Sequence, residues 1–434
     1  MKTPIFDFLK AYEKKNGSRL HMPGHKGKGF LGAEKYDITE ISGADSLFEA
    51  DGIIKESENN ATHLFGSLKT LYCAEGSTQS IKAMLYLALK NRKNKNERPV
   101  IAATRNAHKA FIYACALLDI DIFWLYSSAK EFSLCECKVS TEDIEKGIKD
   151  SGAFAVYITS PDYLGNMLDI KGISESVHKF DIPLLVDNAH GAYLNFLEDN
   201  LHPLYLGADI CCDSAHKTLP VLTGGAYLHI GNEKYIADSK GSLSLFCSTS
   251  PSYLILASLD LANSYLEKGY REKLSKFIKK LDELKTILRK RGFCVLDSDP
   301  LKLTVKNFGV SLSEELKKQK IECEYESSDF TVLMFTPENS DRDIKAVAKA
   351  LKVAPTPKET TLFALKPERI LSPRDALLKE SETVDTENVE GRILADVSVS
   401  CPPAVPVLIS GERVDKKAIE IFKFYGIEKI NVIK

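Results

Sequence analysis

The feature that most constrains the fold is the regular alternation of short apolar runs with helical segments over residues 99–230. The runs PVIAAT, DIFWLY, FAVYIT and IPLLV are rich in β-branched and aromatic residues, which favour strands. Continuous apolar strands that alternate with helices are typical of a parallel sheet covered on both faces. The alternation therefore predicts a large α/β domain at the centre of the chain.

The flanking segments follow other patterns. Residues 77–91 repeat apolar side chains at helical spacing, and residues 251–291 predict one long helical stretch. Beyond that stretch, LKLTVKN and TVLMFTP are strand candidates within a smaller α+β region. These changes predict an N-terminal arm over residues 1–60, a large α/β domain with a connecting helix over 61–290, and a C-terminal small domain over 291–434.

Charge and hydropathy narrow the range of partners. Lysine and arginine together number 58 against 60 acidic residues, so the net charge of -2 provides no field that attracts nucleic acid or an anionic membrane. No apolar run approaches the roughly eighteen residues of a spanning helix, and residues 1–20 lack the apolar core of a signal peptide. We therefore expect a cytoplasmic protein that acts on a small molecule.

The ten cysteines are expected to be reduced thiols, because nothing in the sequence directs the chain to an oxidising compartment. Cys135 and Cys137 resemble half of a zinc site, but no second cysteine pair or spaced histidine pair completes four ligands. We expect no metal.

Polar residues that directly follow apolar runs mark the ligand-binding edge of an open α/β sheet. Ser77 and Thr78 begin a helix and could surround a phosphate, although a plain helix cap explains them equally well. Asp187 follows the run IPLLV, where it could face a ligand or cap a loop. Lys217 follows ADICC within the string DSAHK, an unusual place for a solvated lysine.

The combination is more specific than its parts. A helix start with hydroxyl groups, a carboxylate at one strand end and a lysine amine at the next, in that order along the chain, are the groups that pyridoxal 5′-phosphate (PLP) requires. The amine forms a Schiff base, the helix start holds the phosphate, and the carboxylate keeps the ring nitrogen protonated. The sequence therefore predicts a PLP site around Lys217.

Ten short strings then reveal a family resemblance. In chain order they are TPIFD (3–7), HMPGHKG (21–27), DITE (37–40), GST (76–78), NAHK (106–109), SP (160–161), DNAHG (187–191), SAHK (214–217), SPSY (250–253) and PP (402–403). Together they resemble the Orn/Lys/Arg decarboxylase family, the group III bacterial amino-acid decarboxylases. That resemblance implies PLP fold type I, like aspartate aminotransferase, with a large α/β domain and a smaller C-terminal region.

The resemblance also implies roles for individual residues. Lys217 would be the Schiff-base lysine, Asp187 the partner of the ring nitrogen, and His108 the imidazole stacked on the ring. Without the family, a helix-surface role would be the better interpretation of His108. The implied cofactor-binding set is Gly76, Ser77, Thr78, His108, Ser160, Asp187, Ala189, His190, Ser214, His216, Lys217, Ser250 and Ser252.

Family members form homodimers with the active site at the subunit interface. The resemblance thus implies a homodimer in which Ser250 and Ser252 reach the neighbouring subunit's cofactor. The family string HMPGHKG begins at residue 21, so we expect the short form without an N-terminal wing domain.

The chain departs from the family pattern at the substrate end. Asp396 stands where the family has Glu, Cys401 where it has Tyr, and Ala404 where it has Gly. Asp162 stands where the family usually has Thr after Ser-Pro. These changes leave the substrate open, with Asp396 and Cys401 as substrate-site candidates.

The preferred reaction is α-decarboxylation of lysine, arginine or ornithine, which would place the protein in polyamine biosynthesis. Two alternatives stay open. The first is another Cα reaction of PLP, such as transamination or a lyase step, because fold does not choose among these. The second is a PLP-binding regulatory protein that has lost turnover.

Overall fold

The computed structural model describes residues 1–126, 133–297, 299–357, 365–397 and 403–434. The helices, in chain order, are α1 (Pro4–Lys14), α2 (Ile53–Phe65), α3 (Gly76–Lys90), α4 (Lys109–Leu118), α5 (Thr141–Ser151), α6 (Ile170–His178), α7 (Ala215–Thr218), α8 (Ile236–Ser244), α9 (Tyr253–Glu267), α10 (Tyr270–Lys290), α11 (Leu312–Lys317), α12 (Asp341–Ala350), α13 (Pro373–Leu377) and α14 (Lys416–Phe424). The strands are β1 (Lys69–Cys73), β2 (Val100–Thr104), β3 (Asp121–Leu125), β4 (Ala155–Thr159), β5 (Leu184–Asp187), β6 (Ile210–Asp213), β7 (Ala226–Ile230), β8 (Lys302–Lys306), β9 (Tyr325–Glu326), β10 (Phe330–Met334), β11 (Ser381–Asp385) and β12 (Lys429–Ile433).

The chain divides into two compact units, each built from two separate stretches of sequence. The first unit comprises Met1–Lys93 and Asp181–Leu274, and the second comprises Asn94–Phe180 and Ser275–Lys434. The domain limits expected from the sequence, at residues 60 and 290, stay a prediction.

In the first unit the strands lie in the order β1-β7-β6-β5. Strands β5 and β6 are parallel, whereas β7 is antiparallel to both β6 and β1. The prediction of a parallel sheet was therefore wrong for β7. The connection from β6 to β7 contains only the four-residue helix α7, which is too short to cross the sheet and return a strand in the same direction.

Helix α3 packs against strands β6 and β7 of the same unit. It buries the apolar side chains that gave the sequence its helical spacing, including Ile81, Met84, Leu85 and Ala88. This packing fixes the start of α3 relative to the ends of two strands, because the helix is anchored along most of its length.

In the second unit, β4, β2 and β3 lie in that order and are parallel. A three-stranded antiparallel sheet, β8-β10-β9, and a β11-β12 pair complete its strands within the described residues. A buried core that includes Leu134, Val332, Leu408, Phe422 and Val432 joins strands β10 and β12 to helix α14. The mixed α/β character agrees with the predicted fold class.

The predicted helical stretch over 251–291 is two helices rather than one. Helix α9 ends at Glu267 and α10 begins at Tyr270, with Gly269 at a φ of 76° between them. Glycine adopts this left-handed conformation without a steric penalty, so it ends one helix and lets the chain start another. Within the described part of the chain, no helix is both long and apolar enough to cross a membrane.

Candidate active site

Lys217 lies just beyond a buried strand, as its sequence context predicts. Strand β6 ends at Asp213, Ser214 precedes helix α7, and Lys217 belongs to that helix. The lysine side chain is half-buried, and its Nζ lies 3.1 Å from His190 Nε2. The amine is therefore held beside an imidazole inside the first unit.

The start of helix α3 forms the second part of the candidate site. Ser77 and Thr78 lie in its first turn, directly after Gly76. Ser214 Oγ donates a hydrogen bond to Ser77 Oγ across 2.8 Å, and Gly76 N–H donates to Gly224 O across 2.7 Å. Because a helix amino terminus with nearby hydroxyl groups favours anions, these contacts bring an anion-binding arrangement next to helix α7.

The Asp187 carboxylate lies at the end of strand β5 and is only 2% exposed. Its Oδ1 accepts hydrogen bonds from Ala189 N–H at 3.2 Å and from the Cys212 thiol at 3.6 Å. A buried carboxylate needs hydrogen bonds, and these two contacts orient Oδ1 at the end of the strand.

A tight turn over residues 188–191 follows the end of strand β5 and carries His190, which contacts Lys217. Asn188 O accepts a hydrogen bond from Gly191 N–H at 2.8 Å. A Cβ at position 191 would lie 2.0 Å from Asn188 Oδ1, so any larger residue there would force the buried Asn188 side chain to shift. The turn presents His190 to the lysine amine.

Beside this turn lies a fully buried carboxylate, Asp213, that sequence reasoning missed. Its Oδ1 accepts a hydrogen bond from Asn188 Nδ2 at 2.7 Å. Its Oδ2 lies 3.0 Å from His202 Nε2 and 3.1 Å from His229 Nε2. The strand end that leads to Lys217 is thus tied directly to the turn that carries His190.

The hydrogen-bond partners of His202 and His229 indicate which ring nitrogen of each carries a proton. His202 Nδ1 accepts from Leu204 N–H at 3.4 Å, and His229 Nδ1 lies 2.8 Å from the Thr70 hydroxyl, which can donate. Each ring then carries its proton on Nε2 and donates to Asp213. Burial lowers the pKa of His229. Burial alone would raise the pKa of Asp213, but the two histidines hold that pKa well below its usual range.

Cys211 belongs to the same cluster. His202, Cys211 and Asp213 each place a potential metal-ligand atom within 4.8 Å of the others. However, the Cys211 thiol donates to Asp213 Oδ1 at 3.7 Å, and burial raises the pKa of that thiol well above its usual value. The cluster is therefore best described as a hydrogen-bonded carboxylate.

His216 is oriented by the segment that follows helix α7. Its backbone N–H and its Nδ1 both donate to Gly225 O, at 3.1 and 2.9 Å. Burial lowers the pKa of His216, the Gly225 hydrogen bond raises it, and the charge of Lys217 lowers it further. Because Nδ1–H is committed to the carbonyl, Nε2 donates to a ligand only when the ring is protonated.

Two residues of the predicted cofactor-binding set belong to the second unit. His108 caps helix α4, and its Nδ1 accepts a hydrogen bond from Ala110 N–H at 3.1 Å. Ser160 is buried directly after strand β4, and its Oγ accepts from Leu168 N–H at 3.1 Å. Each lies beyond the carboxyl end of a parallel strand, as expected for ligand-binding residues.

The remaining predicted residues are those assigned to the subunit interface and to the substrate end. Ser250 is exposed, and Ser252 precedes helix α9. Asp396 Oδ2 accepts a hydrogen bond from Asn431 Nδ2 at 3.0 Å. Cys401 lies outside the described residues, and Ala404 has a φ of 55°.

Solved structures with the same architecture define the fold. Lysine decarboxylase LdcF of Francisella novicida matches with a TM-score of 0.84 and 17% identity, over 100% of this chain and 81% of that chain. These structural neighbours are PLP enzymes of fold type I, so the chain has that fold, as predicted.

Sequence comparison then gives the family. The model of the Orn/Lys/Arg decarboxylase major domain matches residues 3–320, and that of the family's C-terminal domain matches residues 357–429. An arginine decarboxylase and the uncharacterized protein YaaO, both of Bacillus subtilis, are each 29% identical over 97% of this chain and 93% of their own length. The chain therefore belongs to the Orn/Lys/Arg decarboxylase family, and the predicted enzyme class, a decarboxylase of basic amino acids, is confirmed.

Proposed function

We propose that the protein uses PLP, held on Lys217, to remove the α-carboxylate of a basic amino acid, with arginine and lysine preferred to ornithine. The observation that carries the proposal is the convergence of Lys217, the Asp187 turn and the start of α3 in one compact unit. Relatives named arginine decarboxylase, 26–29% identical over nearly the whole chain, support the substrate class.

The residues present fit PLP in their chemistry. The first unit offers an amine for the aldehyde, a helix start with two hydroxyl groups for the phosphate, and a buried carboxylate for the ring nitrogen. When bound, PLP supplies an electron sink for the pair released as the bond between Cα and the carboxylate breaks.

Each protein group then has a distinct task. Lys217 holds the cofactor, and His190 lies beside the lysine nitrogen. Asp187 is the counter-ion of the ring nitrogen, a charge-assisted contact. Ser77 and Thr78 bind the phosphate with the α3 amino terminus.

Two further residues of the first unit would hold the phosphate. Ser214 would donate through its hydroxyl, and His216 would donate through Nε2 when its ring is protonated. The family resemblance assigns His108 to stacking on the ring and Ser160 and Ala189 to the ring's edge, and these assignments stay predictions. The sequence-based assignments of Asp396 and Cys401 to the substrate end stay predictions.

The proposed function is tested by incubating purified protein and PLP with L-arginine, L-lysine and L-ornithine, and measuring carbon dioxide and amine formation. We expect release from arginine and lysine, with less from ornithine. Keto-acid formation without carbon dioxide would favour another Cα reaction, and binding of PLP without any product would favour a regulatory role. Either result contradicts the proposal.

We further propose that the protein is a cytoplasmic homodimer whose amine product serves polyamine biosynthesis. The N-terminal arm supports the dimer. Over residues 20–31, the large side chains of Leu20, Met22, Phe30 and Leu31 are exposed by 67% or more. Concentrated apolar exposure of this kind marks an interaction surface, and a second copy of the chain is the partner that the family implies.

The double substitution Phe30→Asp and Leu31→Asp should therefore shift the protein from dimer to monomer. Two buried charges at an apolar interface disfavour association strongly. Sedimentation velocity over a concentration series measures the shift. The control is Leu378→Asp, at another exposed leucine (77% exposed). A wild-type monomer, or equal dissociation by the control, would refute this role of the arm.

A further inference from the structure

A buried thiol contacts the carboxylate that is proposed to pair with the ring nitrogen of PLP. Cys212 lies in strand β6 and is fully buried. Its thiol donates a hydrogen bond to Asp187 Oδ1, with the sulfur 3.6 Å from that oxygen. Ala189 N–H donates to the same oxygen at 3.2 Å. All three residues belong to the first unit, so the contact is formed within one compact body.

The pairing of strands β5 and β6 fixes this contact. The two strands are parallel, and Cys212 is the register partner of Asp187. Paired residues of neighbouring strands present their side chains on the same face of a sheet. Asn188 N–H donates to Cys212 O at 3.0 Å, which continues the pairing one residue past the end of β5. The backbone of both strands therefore holds the thiol against the carboxylate.

The preceding cysteine has a different partner. Successive side chains of a strand point to opposite faces of the sheet, and the Cys211 thiol contacts Asp213 Oδ1 at 3.7 Å. A free cysteine is usually a small apolar core residue, whereas each of these two thiols meets a carboxylate. Cys212 is thus the member of the pair that acts on Asp187.

The Cys212 thiol keeps its proton. Burial raises the pKa of this thiol well above its usual value, and the charges of Asp187 and Asp213 raise it further. A protonated thiol is a donor and carries no charge that would repel Asp187. A donor to a carboxylate favours the ionised form of that carboxylate. Cys212 therefore helps to keep Asp187 charged.

We propose that Cys212 is a positioning residue of the PLP site, whose thiol keeps Asp187 ionised and orients its carboxylate for pairing with the ring nitrogen. The inference rests on the proposed function, because Cys212 acts only through Asp187. An S–H group is a weak donor. The expected effect of losing it is therefore that of one ordinary hydrogen bond.

The first test measures PLP affinity by titrating the apoprotein with PLP and following the visible absorbance. Cys212→Ala should bind PLP about 3- to 10-fold more weakly than wild type, the range of one net hydrogen bond. Cys212→Ser keeps a donor and should bind more tightly than Cys212→Ala. The matched control is Cys73→Ala, which removes another fully buried thiol of the first unit, one whose sulfur contacts Ser80. It should stay within about twofold of wild type.

Two further measurements separate a role through Asp187 from a packing role. Nuclear magnetic resonance of protein loaded with PLP that is isotopically labelled at the ring nitrogen reports the protonation of that nitrogen. Cys212→Ala should move the signal toward that of the unprotonated ring, and Cys73→Ala should not. In an Asp187→Ala background, Cys212→Ala should cause no further loss of PLP affinity, since residues that act as a unit are not additive.

Three results would overturn the inference: equal PLP affinities of Cys212→Ala and Cys73→Ala, an unchanged ring-nitrogen signal in Cys212→Ala, or an equal loss of affinity with and without the Asp187 carboxylate. Cys212→Val, which also lacks the donor, replaces Cys212→Ala if that variant misfolds. Carbon dioxide release by wild type, with no effect of Cys212→Ala on affinity or signal, would refute this inference and leave the proposed function. The expected changes in affinity and signal, without carbon dioxide release by wild type, would do the reverse.

Discussion

The Lys217→Ala protein is expected to release no carbon dioxide above background from any basic amino acid, while it keeps its fold. The lysine amine is the group that attaches PLP, and in the structure it contacts His190 at 3.1 Å. The buried residues of helix α7 are Ala215 and Thr218, which the substitution leaves in place, so the fold should be kept. Product formation measures the loss of activity, visible absorbance with PLP measures cofactor attachment, and circular dichroism measures the fold.

Lys217→Arg serves as the matched variant. Arginine keeps the positive charge beside His190 but is effectively never deprotonated in proteins, so it supplies no nucleophilic amine. Both variants should lose borohydride-stable PLP labelling, which in wild type should fall on the peptide that contains Lys217. Labelling of another lysine, or product formation by either variant, would show that the assignment of Lys217 is wrong.

The order of helices and strands along the chain could be predicted because most of the signals for it are local in the sequence. Each parallel strand from β2 to β6 is a short apolar run, and each helix between them shows its own periodicity. The direction of β7 could not be predicted from its apolar run, since that run is equally suited to either direction. The short α7 connection, which became clear only in the structure, decides it.

The candidate site shows the same division between local and distant information. Asp187, His190 and Lys217 occur in compact strings that sequence reasoning could find. The Asp213 cluster depends on strand pairing, because β6 and β7 place Cys211 opposite His229. On an antiparallel pair, Asp213 lies diagonal to His229 on the same face, a relation that spacing along the chain does not reveal.

The environment of Asp162 needed both kinds of information. Sequence reasoning noted an acid where threonine is usual, but an exposed and a buried acid look the same in a sequence. Only the structure shows that the Asp162 side chain is 3% exposed and accepts hydrogen bonds from Asn166. Departures from a family pattern therefore gain meaning when burial is known.

The Asp213→Ala substitution should lower the free energy of unfolding of the first unit by about 3 kcal/mol or more. It leaves the Nε2 protons of His202 and His229 and the amide of Asn188 without their acceptor, and each buried donor without a partner costs about 1–3 kcal/mol. Denaturant unfolding of the apoprotein measures the change. Asp199→Ala, at an exposed aspartate of the same unit, should change it by about 0.5 kcal/mol or less.

The pH dependence of the free energy of unfolding separates the contribution of the Asp213 charge from that of its packing. Its pKa in the folded protein is lower than in the unfolded chain, so its contribution is present above about pH 4 and is lost as the pH falls below that value. His229, whose pKa is also lowered, adds a loss of stability as the pH falls below about 6.5. Asp213→Ala should remove the step at the lower pH.

Because Asp213 also holds the Asn188 turn, the Asp213→Ala variant should bind PLP more weakly than Asp199→Ala at pH 8. Equal affinity would show that the cluster stabilises the unit without orienting His190.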